Sequence, residues 1–399
     1  MREIVIVGGG IIGCTTAYYI TRHKEFLEGA IKVTLLEASN RGPAQGASGK
    51  AGGLVARWAY PKGIVDLSFD EHVKLANEHN GEDRWGWRYV NCGSWEGRGT
   101  TRKNPGKSLE KEQGLPGGQK PLKGKSASSK RKLPDDLQWL KEESTDSYTP
   151  MARHGNTAQV HPYLFTMSMF DLAKEAGLQY ICGQVTKILR SSEAVTGVEY
   201  FDPYTNDIQT LSASQVILTA GAWSPTLLPS LKLTATRAHS VTIRPIEETS
   251  ISPYVVFTEF KDSSSASGPE IYARPGNEVY ACGPGDDLAL PATVDDVQVD
   301  ESACDLIYKQ VSSISDELRD GKIEKRQACY LPTVNSNRGG GPIIGEAKTV
   351  AKGLFIGTGH TCWGISNGPG TAKALSELVL EGEIKCADLK RFDPALYSL

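Results

Sequence analysis

The residues with the plainest chemistry stand at the start of the chain. In REIVIVGGGIIGCTTAYYITRH, Gly8, Gly10 and Gly13 have G-x-G-x-x-G spacing, and Glu37 closes the next apolar segment, KVTLLEA. Glycine allows a tight turn at position 8, approach of a pyrophosphate at 10 and close packing of a helix on a strand at 13. A carboxylate at Glu37 is placed to accept hydrogen bonds from a ribose. The pattern predicts a dinucleotide site, and both NAD and FAD satisfy it. A second run of small residues, SNRGPAQGASGKAGGLVA at 39–56, would let its backbone and Ser48 approach an extended cofactor. A third, GHTCWGISNGPGTAKAL at 359–375, puts Gly359, Gly364, Gly368 and Gly370 in a turn ahead of a helix, whose N-terminal amides favour negative charge. G-x-G-x-x-G occurs once, so a reductase joining NADPH to FAD is not expected. The seven histidines lack ligand spacing, which predicts no metal site, and no nucleophile elbow supports Ser-His-Asp chemistry.

Such residues need elements to hold them. Ile4 to Val7 is a continuous apolar run, as in a parallel strand buried on both faces, and Cys14 to Thr21 continues as a helix. Strand, glycines, helix, strand, acid is the order that a dinucleotide turn requires. Further strands are expected in GLQYICGQVTKI (177–188) and TGVEYFDPYTNDIQTLSASQVILTAGAW (196–223), with an amphipathic helix at 161–177. From about 236 to 324, short alternating runs such as SVTIRPI and EIYARPGNEVYACG predict an antiparallel sheet, with a helix near 300–319. The expected organisation is an α/β dinucleotide-binding domain, discontinuous over 1–60, 155–235 and 325–399. A second α+β domain, built on the antiparallel sheet, takes 61–154 and 236–324.

The chain has 399 residues, 39% apolar and 23% charged, with a net charge of −3. Residues 97–134 carry eleven Lys/Arg against two Glu, a net of +9 that leaves −12 for the remainder. This stretch is poor in apolar residues and reads as a basic, disordered insertion. Contact with a protein or an anionic surface is its alternative use; no nucleic-acid partner is expected. None of the eight cysteines forms a C-x-x-C pair, which points to free thiols in a reducing compartment. No apolar run is long enough to span a membrane. Met1 leads directly into a strand, and Tyr397-Ser398-Leu399 lacks the basic residue of a peroxisomal tail, so the cytoplasm is the expected location.

Four blocks in order, IVIVGGGIIG with LLEA, GASGKAGGLV, ILTAGAW, and RQACYLPTVNSNRGGGPIIGEAKTVAKGLFIGTGHTCWGI, resemble the D-amino-acid oxidase superfamily, which includes glycine and sarcosine oxidases. The 97–134 insertion followed by LPDDLQWL resembles an uncharacterised fungal branch. The resemblance implies a discontinuous Rossmann-like FAD domain, an antiparallel substrate domain, and noncovalent FAD. It also implies hydride transfer to flavin from a carbon beside an amine nitrogen, with electrons passed to an acceptor such as O2. Carried over, Gly8, Gly10, Ile11, Ile12, Gly13, Glu37 and Ala38 hold the adenylate side, and Val185 meets adenine through its backbone. Ser48, Gly49, Lys50, Gly52, Gly53 and Leu54 follow the pyrophosphate and ring, joined by Ala220, Gly221, Trp223 and Cys329. The loop His360, Thr361, Cys362, Trp363, Gly364 and Ile365 lies against the flavin.

The departures concern substrate. Where many family members have L-R-P-x-T, this chain has Tyr330-Leu331-Pro332-Thr333, and Cys362 stands where glycine oxidase places another arginine. A simple amino acid is therefore not the expected substrate. The substrate-pocket candidates are Leu54, Tyr272, Arg274, Leu331, Arg338 and Cys362, with Arg326 a further cation; no catalytic residue is assigned. The alternatives are an FAD-binding regulatory or trafficking protein with little catalysis, and an NAD-dependent dehydrogenase, which the C-terminal block argues against.

Overall fold

A computed structural model of the chain describes residues 1–99, 132–246, 248–261, 267–335, 341–397 and 399. Its first sheet has six strands in the spatial order Ile343–Glu346, Leu354–Thr358, Gln215–Leu218, Arg2–Val7, Ile31–Glu37 and Gln179–Cys182. Every pairing is parallel except that of the edge strand Ile343–Glu346. The apolar run that announced this sheet is divided by the pleat. Ile4 and Ile6 enter one core with the helices Ile11–Ile20 and Gly364–Glu381, while Val5 and Val7 enter another on the opposite face. A strand buried on both faces has no polar side to show, hence its unbroken apolarity.

The second sheet has seven strands in the order Lys322–Val334, Leu233–Arg244, Glu278–Cys282, Ser267–Arg274, Tyr254–Phe260, Asn91–Gly97 and Thr145–Pro150. All pair antiparallel apart from Tyr254–Phe260 with Asn91–Gly97. One face packs Val241, Ile271, Ala273, Val279 and Ala281 against Ile307 and Val311 of the helix Glu301–Ile314. The alternate residues Val255, Phe257, Tyr272 and Tyr280 turn the other way, toward the first domain.

Three expectations shift in detail. Lys322–Val334, which the sequence reading assigns mostly to the first domain, pairs along its whole length with Leu233–Arg244 in the second sheet. The helix Val65–Glu78 packs on Gly364–Glu381, with Phe69, Leu75 and Ala76 in the core of Ile11 and Leu375, so this part of 61–154 belongs with the dinucleotide side. Most of the basic stretch, 100–131, lies outside the described residues. Its ends are folded: Gly97 closes a strand, and Leu133 is buried beside Trp95 and Trp139.

The glycine run 359–370 is not all turn. The helix begins at Gly364 and carries Gly368, Pro369 and Gly370 inside it. A Cβ on Gly368 would lie 2.8 Å from Ile11 Cγ1, and one on Gly370 would lie 2.3 Å from Ser68 Oγ, so small residues here serve close helix packing. Pro369 has no N–H to give the carbonyl of Ile365, the usual acceptor four residues earlier. His72 supplies it instead, Nε2 to oxygen at 2.9 Å. Burial holds the His72 pKa down to about 4, so the ring is neutral and donates from Nε2.

Candidate cofactor and substrate site

Between the two sheets lies a cleft of about 1880 Å³, counting its open mouth. At one end the helix Ile11–Ile20 points its N-terminus into the cleft. Its cap, Gly10, has no side chain, and Ser48 Oγ accepts from Ile11 N–H at 2.9 Å. The remaining first-turn amides face an anion site with the helix dipole behind it. Glu37 is held by the N–H groups of Gly9 at 2.7 Å and Ser39 at 2.8 Å. Burial raises its pKa, and those backbone donors oppose the rise. Its oxygens keep lone pairs for a ribose hydroxyl.

At the other end the N-terminus of Gly364–Glu381, also without a side-chain cap, reaches the same cleft. The loop before it is strained: Thr361 has φ 52°, a left-handed value rarely adopted by a β-branched residue. His360 anchors the loop, its Nε2 lying 2.9 Å from Thr371 Oγ1, and burial lowers its pKa to about 3. A neutral, side-chain-anchored His360 carries no charge into the cleft that the 360–365 loop lines. Two capless helix N-termini, glycine-lined walls and a ribose-facing carboxylate fit FAD along the length of the cleft.

Most of the residues singled out from sequence meet here. The cleft is lined by Gly8, Gly10, Ile11, Ile12, Glu37, Ala38, Ser48, Gly52, Gly53, Leu54, Val185, Ala220, Gly221, Trp223, Cys329 and 360–365, with Tyr272 and Leu331. Gly13, Gly49 and Lys50 do not line it. A Cβ on Gly13 would stand 2.0 Å from the Gly8 carbonyl oxygen, and one on Gly49 would stand 2.0 Å from that of Ala44. Both glycines therefore shape the cradle from behind. Lys50 is turned away, donating to Ala328 O at 2.9 Å, and burial lowers its pKa.

Arg274 is a correction. Its guanidinium is buried, paired with Glu278 at 2.7 Å and bonded to the Ala51 carbonyl, with Gly52 O at 3.5 Å. It fastens the 51–52 loop to the sheet and does not line the cleft. Arg326 pairs on the exterior with Asp305 at 2.8 Å and Glu301 at 3.1 Å. Arg338 lies outside the described residues. Among the described lining residues no lysine or arginine remains, and Leu331 presents an apolar wall where a carboxylate clamp was in question.

The sequence reading missed Glu270, Tyr280, Cys282 and Phe257, all on the cleft face of the second sheet. In EIYAR, Glu270, Tyr272 and Arg274 stand at alternate positions, so two named residues already marked the face of the third. Glu270 pairs across the sheet with Phe257 and Cys282. Its Oε2 accepts from the Tyr272 hydroxyl and lies 3.8 Å from Cys282 Sγ; burial raises its pKa.

A two-sheet protein with a dinucleotide cradle joined to a partly apolar pocket, with no lysine or arginine among its described lining residues, is of the flavin-oxidoreductase class. The chain belongs to the FAD dependent oxidoreductase (DAO) family, whose pattern it matches over residues 3–378. It is 33% identical to a Saccharomyces cerevisiae protein named as an oxidoreductase (TDA3), over 99% of this chain and 95% of that one. A Schizosaccharomyces pombe protein, also named as an oxidoreductase, is 33% identical over 98% of both chains. Among solved structures, glycine oxidase from Geobacillus kaustophilus superposes with a TM-score of 0.71 at 18% identity over 98% of both chains. L-proline dehydrogenase from P. horikoshii gives 0.71 at 15%, over 100% of this chain and 98% of the other. These structures share the fold. The protein is thus an FAD-dependent oxidoreductase, and among the described residues no helix is long and apolar enough to cross a membrane.

Proposed function

We propose that the protein oxidises an amine that carries no carboxylate requiring a clamp, with FAD held noncovalently in the inter-sheet cleft. The carrying observation is the substrate end of that cleft, where Leu331, Cys362, Phe257 and Tyr272 stand and no described cation does. The amine class is supported by fold: similar structures are named for glycine, L-proline and fructosyl amine. Bound FAD would supply the two-electron acceptor for hydride from the carbon beside nitrogen, in the family's manner. The chain's part is to orient the substrate between the second sheet and the 360–365 loop and to exclude water. Amides at the Gly364 helix start favour negative charge at the adjoining end of the cleft. Residues Gly8 to Ile12 and Glu37 would hold the adenylate side, with Ser48 and Gly52 to Leu54 along the middle.

The test is anaerobic reduction of the flavin by a panel of amines. A bidentate arginine–carboxylate contact contributes about 1.5–3 kcal/mol, so its absence weakens binding of small amino acids roughly ten- to a hundredfold. Glycine, sarcosine and D-alanine are expected to bleach the flavin slowly, and uncharged-chain amines faster. Rapid bleaching by glycine would refute the reading. Firmly bound FAD that no compound reduces would favour a regulatory FAD-binding role.

Cofactor attachment is tested separately. Cys329 lines the cleft but packs with Ala238 and Leu331, and burial raises its thiol pKa to about 11. A protonated thiol is a poor nucleophile. Acid precipitation is expected to leave all flavin in the supernatant, from wild type and from Cys329→Ser alike. A fluorescent polypeptide that loses its fluorescence in Cys329→Ser would show a covalent bond.

A further inference from the structure

We propose that Glu270 is the substrate's cation-binding and proton-accepting group, so that the preferred substrate enters as an ammonium ion. This rests on the amine-oxidising reading above and names the residue that selects its substrate. Glu270 sits in the middle of a seven-stranded sheet, on the face that forms the cleft. Tyr272 and Cys282 both approach Oε2, and among the described residues no hydrogen bond reaches Oε1. The carboxylate is thus anchored by one oxygen and offers the other to the cavity.

What surrounds it sharpens the assignment. The titratable neighbours are Tyr272 on its own strand, Cys282 on the next, Cys92 on Asn91–Gly97 and Cys362 on the 360–365 loop. None is a cation, and no described lysine or arginine lines the cleft. A carboxylate held in a low-dielectric cavity without a counter-ion carries a desolvation penalty that a cationic ligand relieves. For a structural residue the arrangement is costly; for an ammonium receptor it is what the chemistry needs. The same site repels a carboxylate-bearing ligand, in agreement with Leu331 and Cys362 at the arginine positions.

The proton balance follows. Bound ammonium gives one proton from nitrogen to Oε1, which becomes a neutral carboxylic acid, and nitrogen regains its lone pair. The neutral pair is favoured over the ion pair in a poorly solvated site. Bound FAD would supply the two-electron acceptor for hydride from the carbon beside nitrogen, and water would hydrolyse the iminium left on the substrate. Glu270 later returns its proton to solvent.

The test uses the FAD-loaded full-length protein and three isosteric probes that cannot be oxidised: tert-butylammonium, tert-butanol and pivalate. Binding is read from perturbation of the flavin absorption band and by calorimetry. Wild type is expected to prefer tert-butylammonium over pivalate at least tenfold. Glu270→Gln is expected to weaken the ammonium at least tenfold while leaving tert-butanol unchanged. Glu270→Asp should recover part of the preference, which a loss of folding would not. Equal ammonium binding in wild type and Glu270→Gln, or pivalate binding as tight as ammonium, would overturn the proposal. The two levels separate cleanly. Intact ammonium selectivity without flavin reduction by any amine refutes amine oxidation but leaves the cation site. Brisk amine oxidation that Glu270→Gln does not alter refutes the cation site alone.

Discussion

Gly13→Ala will emerge from purification colourless or nearly so, and less stable than wild type by about 3 kcal/mol or more. The added Cβ would lie 2.0 Å from the Gly8 carbonyl oxygen and 2.8 Å from Thr219 Oγ1. Neither can give way easily. Gly8 itself has φ 106°, and Thr219 donates to Val7 O at 2.9 Å in the adjacent strand. Relief requires the helix Ile11–Ile20 to lift off the sheet, which moves the first-turn amides away from an anion and opens the core around Cys14 and Ala17. Overpacking of a well-packed core usually costs about 1–3 kcal/mol, and a backbone clash lies at or beyond the upper end. The control is Gly29→Ala, at φ 75° with no atom within 4 Å of the new Cβ. It should cost only about 1 kcal/mol, through backbone conformation, and keep its flavin. Flavin-to-protein absorbance after gel filtration, with thermal unfolding, decides the matter. A yellow Gly13→Ala that melts with wild type would show that the cradle does not depend on this contact.

The second large effect belongs to Arg274. Arg274→Met is expected to destabilise by about 3–5 kcal/mol, because it strands the Glu278 carboxylate in the sheet. The pair is almost wholly buried, with side-chain exposures of 3% and 9%. Its other partner, His161 Nε2, is 4.0 Å away and has its pKa lowered to about 4 by burial and by Arg274. The ring is therefore neutral near pH 7 and cannot replace the guanidinium charge. The substitution also frees the Ala51 and Gly52 carbonyls, so flavin retention should fall with stability. Arg274→Met/Glu278→Gln should recover most of the loss, since no isolated charge is left. Denaturant midpoints for the two variants measure this. A single variant within 1 kcal/mol of wild type would mean that the pair is not a fastening.

Legibility was uneven for physical reasons. The dinucleotide turn could be read directly because its determinants are local: glycines at fixed offsets, an apolar run before them and an acid at the end of the next strand. The 359–375 run was recognised as small-residue structure, but its helical start depended on partners far away. His72 satisfies the carbonyl that Pro369 leaves, and Ile11 and Ser68 leave no room for side chains at Gly368 and Gly370. Arg274 carried the right charge for substrate binding, yet its partner and the loop carbonyls are supplied by the fold.

By itself, then, the sequence determined the α/β cradle and the antiparallel second sheet; Leu331 and Cys362 as substitutes for arginine were an implication of the family resemblance. Alternation also determined that Glu270, Tyr272 and Arg274 share one face. It could not determine which face lines the cleft, since a period-two pattern is symmetric between the two sides of a sheet. The tertiary structure decided that. Packing Glu301–Ile314 over Ile271, Ala273, Val279 and Ala281 buries the apolar set, and the alternate set is left to close the cleft. Glu270 lines the cleft because Ile271 and Ala273, at the intervening positions of its strand, pack with the helix on the other side.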